Sequence, residues 1–143
     1  MRRRLCSFAG APIALSCLVS LKKSPLAEAV IGLAIEVHRI LGPGLLESAY
    51  ARCLGQELSV ANLRYETEVT IPVWYKGLML DHGYRADVIV ENELLLEIKS
   101  VDGLLPIHSA QTLTYLKMSG LRQALLLNFN ERRLVDGLKS FVN

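Results

Sequence analysis

Two apolar runs facing each other across a three-residue polar connection constrain this chain more than any other feature. Tyr84 to Val90 and Leu94 to Ser100 are the runs, and Glu91-Asn92-Glu93 joins them. A hairpin centred on Asn92 pairs Val90 with Leu94, Val88 with Leu96 and Asp87 with Glu97. Period two then sets Val88, Val90, Leu94, Leu96 and Ile98 on one apolar face, and Asp87, Glu97 and Lys99 on the other. The apolar face pins the register, because a slip of one residue would turn every side chain over.

Opposed carboxylates on neighbouring strands stand about 5 Å apart at Cβ and destabilise the pair unless they share a proton or a cation. Hard oxygen donors favour magnesium or manganese. Lys99, two residues beyond Glu97 on the same face, brings a positive charge to where negative charge would develop on a phosphate. The plainer reading is a solvated, ion-paired sheet face.

The rest of the chain supplies layers for such a hairpin. Val30, Leu33, Ala34, Val37, Ile40 and Leu41 recur at helical spacing, which predicts a helix over Leu26 to Leu41, stopped by Gly42-Pro43-Gly44. A second helix is expected from Leu46 to Val60. Alternation of Val69, Ile71 and Val73 with Thr70, Pro72 and Trp74 predicts an edge strand, since Pro72 has no N–H to donate. Lys76-Gly77 and Asp81-His82-Gly83 are turn signals around Leu78 to Leu80. Ile107 to Ser119 reads as a helix with Ile107, Ala110, Leu113 and Thr114 inward, and Gln123 to Phe129 as a strand. Leu134 to Val142 fits strand or helix. The order is two helices, an antiparallel meander, then helix and strand, in one domain over 25–143.

Apolar residues are 51% and charged residues 21% of the chain, which excludes disorder as its default state. The net charge of +2 is misleading: five of the sixteen basic residues precede Pro25, leaving eleven against fourteen acidic ones, a difference of −3. A general nucleic-acid coat would be basic, so any contact with nucleic acid must be local or use a metal. Cys6, Cys17 and Cys53 lack the spacing of a disulfide framework or a zinc site, and Cys53 is expected to pack as a small hydrophobe. Residues 1–24 combine Arg2 to Arg4, an apolar middle and Lys22-Lys23. That stretch reads as an extension or a secretion signal, without a small-residue cleavage motif and too short for a membrane span. The expected location is cytoplasmic with no membrane association, and export is the alternative.

Several side chains invite smaller readings. Glu47 and Tyr50 share a helix face at i, i+3, although glutamate is favoured in a first helical turn anyway. Gln111 and Tyr115 stand at i, i+4. His38 is expected to be a cap or a satisfied buried histidine. Trp74 and Tyr75 could stack a base, but are expected to pack beneath a neighbouring helix.

The run Gly44-Leu45-Leu46-Glu47-Ser48-Ala49-Tyr50 resembles the signature of the GxxExxY protein family. Ile35-Glu36-Val37-His38, Tyr84-Arg85-Ala86-Asp87, Glu97-Ile98-Lys99 and Gln111-Thr112-Leu113-Thr114-Tyr115-Leu116-Lys117 are similar to that family in the same order. The family in turn resembles the PD-(D/E)xK nuclease superfamily, with the likeness covering about Leu26 to Asn143. The resemblance implies a restriction-endonuclease-like α/β core, a central mixed β-sheet flanked by helices. It implies catalytic roles for Glu47, Asp87, Glu97, Lys99 and Gln111, with magnesium or manganese held by Glu47, Asp87 and Glu97. The usual proline before the aspartate is Ala86 here. The activity implied is metal-dependent cleavage of DNA or RNA, the alternative being a non-catalytic module of the same fold that binds protein or nucleic acid.

Overall fold

The computed structural model describes residues 24–80 and 84–143. The stretch 1–23 and the turn signal at 81–83 lie outside the described residues, so the reading of an extension or signal is not addressed.

Ser24 is the N-cap of α1 (Pro25–Leu41): its Oγ accepts from the Ala27 N–H at 3.1 Å, and Pro25 occupies the first turn, where no N–H is needed. Gly42, at φ 66°, ends the helix by donating its N–H to the His38 carbonyl. Helix α2 (Glu47–Val60) follows a loop in which Gly44 takes φ 102°, a conformation costly for any residue with a Cβ. Tyr50 is fully buried and stacks on Phe129 at 4.5 Å. Its hydroxyl donates to the Gly42 carbonyl at 2.5 Å and accepts from the Leu45 N–H at 3.1 Å, so the loop is clamped from inside.

The five-stranded mixed sheet runs in the order β1 (Tyr65–Thr70), β4 (Arg85–Val90), β5 (Leu94–Lys99), β6 (Gln123–Asn128), β7 (Leu138–Val142). Only β5 and β6 are parallel, and α3 (Pro106–Ser119) is their crossover. Helices α1 and α2 cover one face, over Val88, Val90, Leu94, Leu96, Ile98, Leu125 and Leu127. Tyr115 and Leu116 of α3 cover the other, over Ile89, Leu95, Ala124 and Leu126. Both faces of the central hairpin are therefore apolar near its turn, and its polar residues gather at the opposite end. Leu134 to Val142 divides between a short 3-10 helix, Leu134–Gly137, and β7.

Two expectations need correction. The strand foreseen through Val69 and Trp74 is two strands in two sheets. Ile71 is buried and its N–H still meets the Tyr84 carbonyl at 2.7 Å, but Pro72, with φ fixed and no donor, ends the pairing. The chain leaves as β2 (Val73–Tyr75), which pairs only with β3 (Leu78–Leu80). On α3, Ile107, Ala110 and Thr114 are exposed and Leu113 is half-buried; Thr112, Tyr115 and Leu116 face inward. Apolar spacing misjudged this helix because its buried polar groups are satisfied within it. The Thr112 hydroxyl donates to the His108 carbonyl, and the Gln111 amide to the Tyr115 hydroxyl.

The expectations for His38 and Cys53 agree with the structure. His38 is buried with Nε2 hydrogen-bonded to the Glu131 carbonyl at 2.8 Å, and Cys53 is a free, half-buried thiol against the first core. No helix among the described residues is long and apolar enough to cross a membrane.

The central turn holds Glu91 and Asn92 both at φ 52°. Glu91 is held there by Arg64, whose carbonyl accepts the Glu91 N–H at 2.8 Å and whose own N–H meets the Glu91 carboxylate at 2.6 Å. Asn92 has an exposed side chain and only its backbone to satisfy. Asn92→Gly should therefore be neutral or mildly stabilising, and Asn92→Val should cost about 1 kcal/mol or more in chemical denaturation, because a β-branched residue resists positive φ. Equal stabilities would remove the conformational argument for this turn.

Candidate active site

The β4–β5 ladder pairs Val90 with Leu94, Ile89 with Leu95 and Val88 with Leu96, in the register expected from the sequence. It stops there. Asp87 does not continue the ladder opposite Glu97: its Oδ2 accepts the Ile98 N–H at 2.7 Å, a carboxylate taking the place of a strand carbonyl. Meanwhile β5 stays paired with β6 as far as Lys99 opposite Asn128, so the sheet opens on one side of β5 only.

The β1–β4 ladder lapses at the same level. Thr67 pairs with Val88 and Val69 with Ala86, but Glu68, between them, has φ 50°. Across this point the sheet faces exchange: Val88 packs into the first core, while Ala86, two residues away, packs into the second. Regular alternation forbids that, so the strand pair twists sharply where Glu68 and Asp87 sit. Nothing in the period of the sequence signals Glu68, which reads as an ordinary outward position.

Glu47 is the first residue of α2, and its Oε1 accepts the Ser100 N–H at 3.3 Å. Ser100 Oγ donates to the Leu45 carbonyl at 2.6 Å, tying the start of α2 to the end of β5. A groove of about 620 Å³ runs between them, lined by Glu47, Arg52, Thr67, Glu68, Asp87 and Ile98. Arg52 is a second cation that the sequence did not mark.

Glu97 is 2% exposed, and its Oε1 is buried without a hydrogen-bond partner. Burial, then the charge of Asp87, push its carboxyl up to about 8; Lys99 and the Asp87 N–H pull down, and Glu47 adds to the rise. Asp87 is raised too, first by burial; the Ile98 N–H and Lys99 oppose this, while Glu47 and Glu68 reinforce it. Glu47, Asp87, Glu97 and Lys99 therefore influence one another electrostatically. Gln111 is not tied to them by a hydrogen bond, because its amide is spent on Tyr115 at 3.0 Å.

Among the described residues, no three carboxylate, imidazole or thiolate side chains close into a ready-made metal cage. The donor set nevertheless suits a hard divalent cation: it offers oxygen ligands, two mutually repelling acids and one buried oxygen with nothing bound to it.

A three-layer domain with an acid–acid–lysine cluster at the open end of its central hairpin is a nuclease-like α/β domain of the restriction-endonuclease-like kind. The chain belongs to the PD-(D/E)XK nuclease superfamily, whose family profile it matches over residues 24–141. It matches no curated protein and no solved structure significantly.

Proposed function

We propose that this protein is a metal-dependent phosphodiesterase that cleaves DNA or RNA, with magnesium or manganese held by Glu47, Asp87 and Glu97. The observation that carries this reading is the unpartnered, buried Oε1 of Glu97 beside a second carboxylate, an arrangement that a cation relieves. When bound, such an ion supplies Lewis-acid stabilisation to the phosphate and makes water a better nucleophile at neutral pH.

The chain's own groups do the rest. The Ile98 N–H fixes one oxygen of Asp87 and leaves the other for a ligand. Ser100 orients Glu47 from α2. The Lys99 ammonium holds the charge that grows on the phosphate as the ester bond breaks, and Arg52 in the groove can take a neighbouring phosphate. Gln111 is read as a supporting position on α3 that must exchange Tyr115 for substrate or water.

The Gly44–Tyr50 segment supports membership of the GxxExxY subfamily. Its three fixed letters have distinct physical tasks here: a positive φ, a carboxylate aimed at the site and a loop clamp. A cytoplasmic location goes with this reading.

The test is incubation of the full chain with single- and double-stranded DNA and RNA, with magnesium, manganese or chelator. Metal-dependent cleavage of one of these supports the reading. Binding without cleavage of any of them would move the protein to the non-catalytic module.

A further inference from the structure

Among the described residues, the β2–β3 ribbon is uncovered on both faces. Trp74 stands opposite Met79 and Tyr75 opposite Leu78, and these four side chains are 59%, 48%, 61% and 59% exposed respectively. The expectation that Trp74 and Tyr75 lie beneath a helix is thus overturned: the chain leaves the main sheet at Pro72 before any helix can cover them. A two-stranded ribbon showing large apolar groups on both sides is marginal in water by itself.

Its root, in contrast, is rigid and close to the chemistry. Ile71 is 2% exposed and paired to Tyr84, and it is the third residue after Glu68, roughly 10 Å along the strand. From Val69 to Arg85 the charged residues are Lys76, Asp81 and Arg85, two cations and one acid, a net charge of +1. The Lys76 Nζ lies 5.5 Å from the Tyr75 ring centroid. In a chain that is acidic from Pro25 onward, the segment that projects beside the groove is therefore aromatic and positive by one charge.

We propose that this ribbon is the arm on which unpaired bases of a single-stranded nucleic-acid segment stack, with Trp74 and Tyr75 as platforms and Lys76 and Arg85 on the phosphates. Aromatic faces flanked by cations suit bases joined by phosphates. A duplex keeps its base faces stacked on each other and offers none to the ribbon. The inference rests on the phosphodiesterase reading for its substrate class.

Trp74 is the only tryptophan in the chain, so its fluorescence reports on the ribbon directly. The full chain is titrated with a short oligothymidylate, a short oligouridylate and a blunt DNA duplex, with calcium in place of magnesium and strand integrity checked on gels. Quenching by one or both single strands and not by the duplex is expected, weakening as salt rises. With end-labelled strands, Trp74→Ala and Tyr75→Ala should each weaken binding by roughly tenfold to a hundredfold. Trp74→Phe should recover most of that loss, and melting curves should stay as in the parent.

Unchanged fluorescence, or unchanged affinity in Trp74→Ala, would overturn the inference. So would concentration-dependent self-association that Trp74→Ala abolishes, which would give the ribbon to a second copy. If no strand is cut in magnesium while quenching and the Trp74→Ala loss persist, the phosphodiesterase reading fails and the arm stands. Cleavage with a silent Trp74 is the reverse case.

Discussion

Lys99→Met is expected to lower the rate of magnesium-dependent cleavage by about 10²- to 10³-fold while leaving stabilisation by magnesium intact or slightly enhanced. The lysine sits one strand period beyond Glu97, and its charge lowers the pKa of both Asp87 and Glu97. Removing a cation makes the site more attractive to another cation but leaves the phosphate without a fixed partner. Asp87→Asn should lose both properties, since the amide oxygen can still accept from Ile98 N–H but the charge that holds an ion is gone. Single-turnover cleavage and thermal melts with and without magnesium, run on the same preparations, separate the two variants. Parent-like cleavage by Lys99→Met would remove the lysine from the chemistry.

In the absence of metal, the protein should become less stable as pH rises from about 4.5 towards 8, with Glu97 as the main cause. Its carboxyl has an ordinary value of 4.5 and is pushed to about 8 in the folded chain. Between these values the unfolded chain has lost the proton and the folded chain retains it, so each step up in pH favours unfolding, by at most about 1.4 kcal/mol per unit. Asp87, raised for the same reason, acts in the same direction. Glu97→Gln should flatten this dependence and melt above the parent near pH 8. Magnesium at about a hundred times its Kd should return roughly 2.7 kcal/mol to the parent and little to the variant. A parent protein that gains stability over this range relative to Glu97→Gln, in melts without metal, would show that the carboxylate is a satisfied structural group.

The sequence showed the hairpin and its register from Val88 to Val90 because these rest on local alternation: Val88, Val90, Leu94 and Leu96 allow one register only. It also showed α1, whose stripe is wide and whose ends are marked by Ser24 and Gly42. It did not show that Asp87 would spend an oxygen on the Ile98 N–H, since this depends on the twist at Glu68, and a twist leaves no trace in a period. Glu68 and Arg52 were invisible as site residues for a related reason: neither belongs to a local pattern, and both reach the groove only when α2 docks on the sheet. The uncovered ribbon was masked by Pro72, which is compatible equally with an edge strand and with a departure from the sheet.

The clamp between α2 and the end of β5 bears on how the chain acquires its chemistry. Asp87, Glu97 and Lys99 lie within one hairpin, whose contacts are close in sequence and cheap in loop entropy. Ser100 meets Glu47 and Leu45 across 53 and 55 residues, and β5 meets β6 only after the whole α3 crossover is in place. Contacts of such long sequence separation form late. Until they form, the hairpin carries Asp87, Glu97 and Lys99 without the burial that raises the two carboxyls in the folded chain. If the proposed activity holds, the spacing of these contacts ties it to completion of the fold, α3 included.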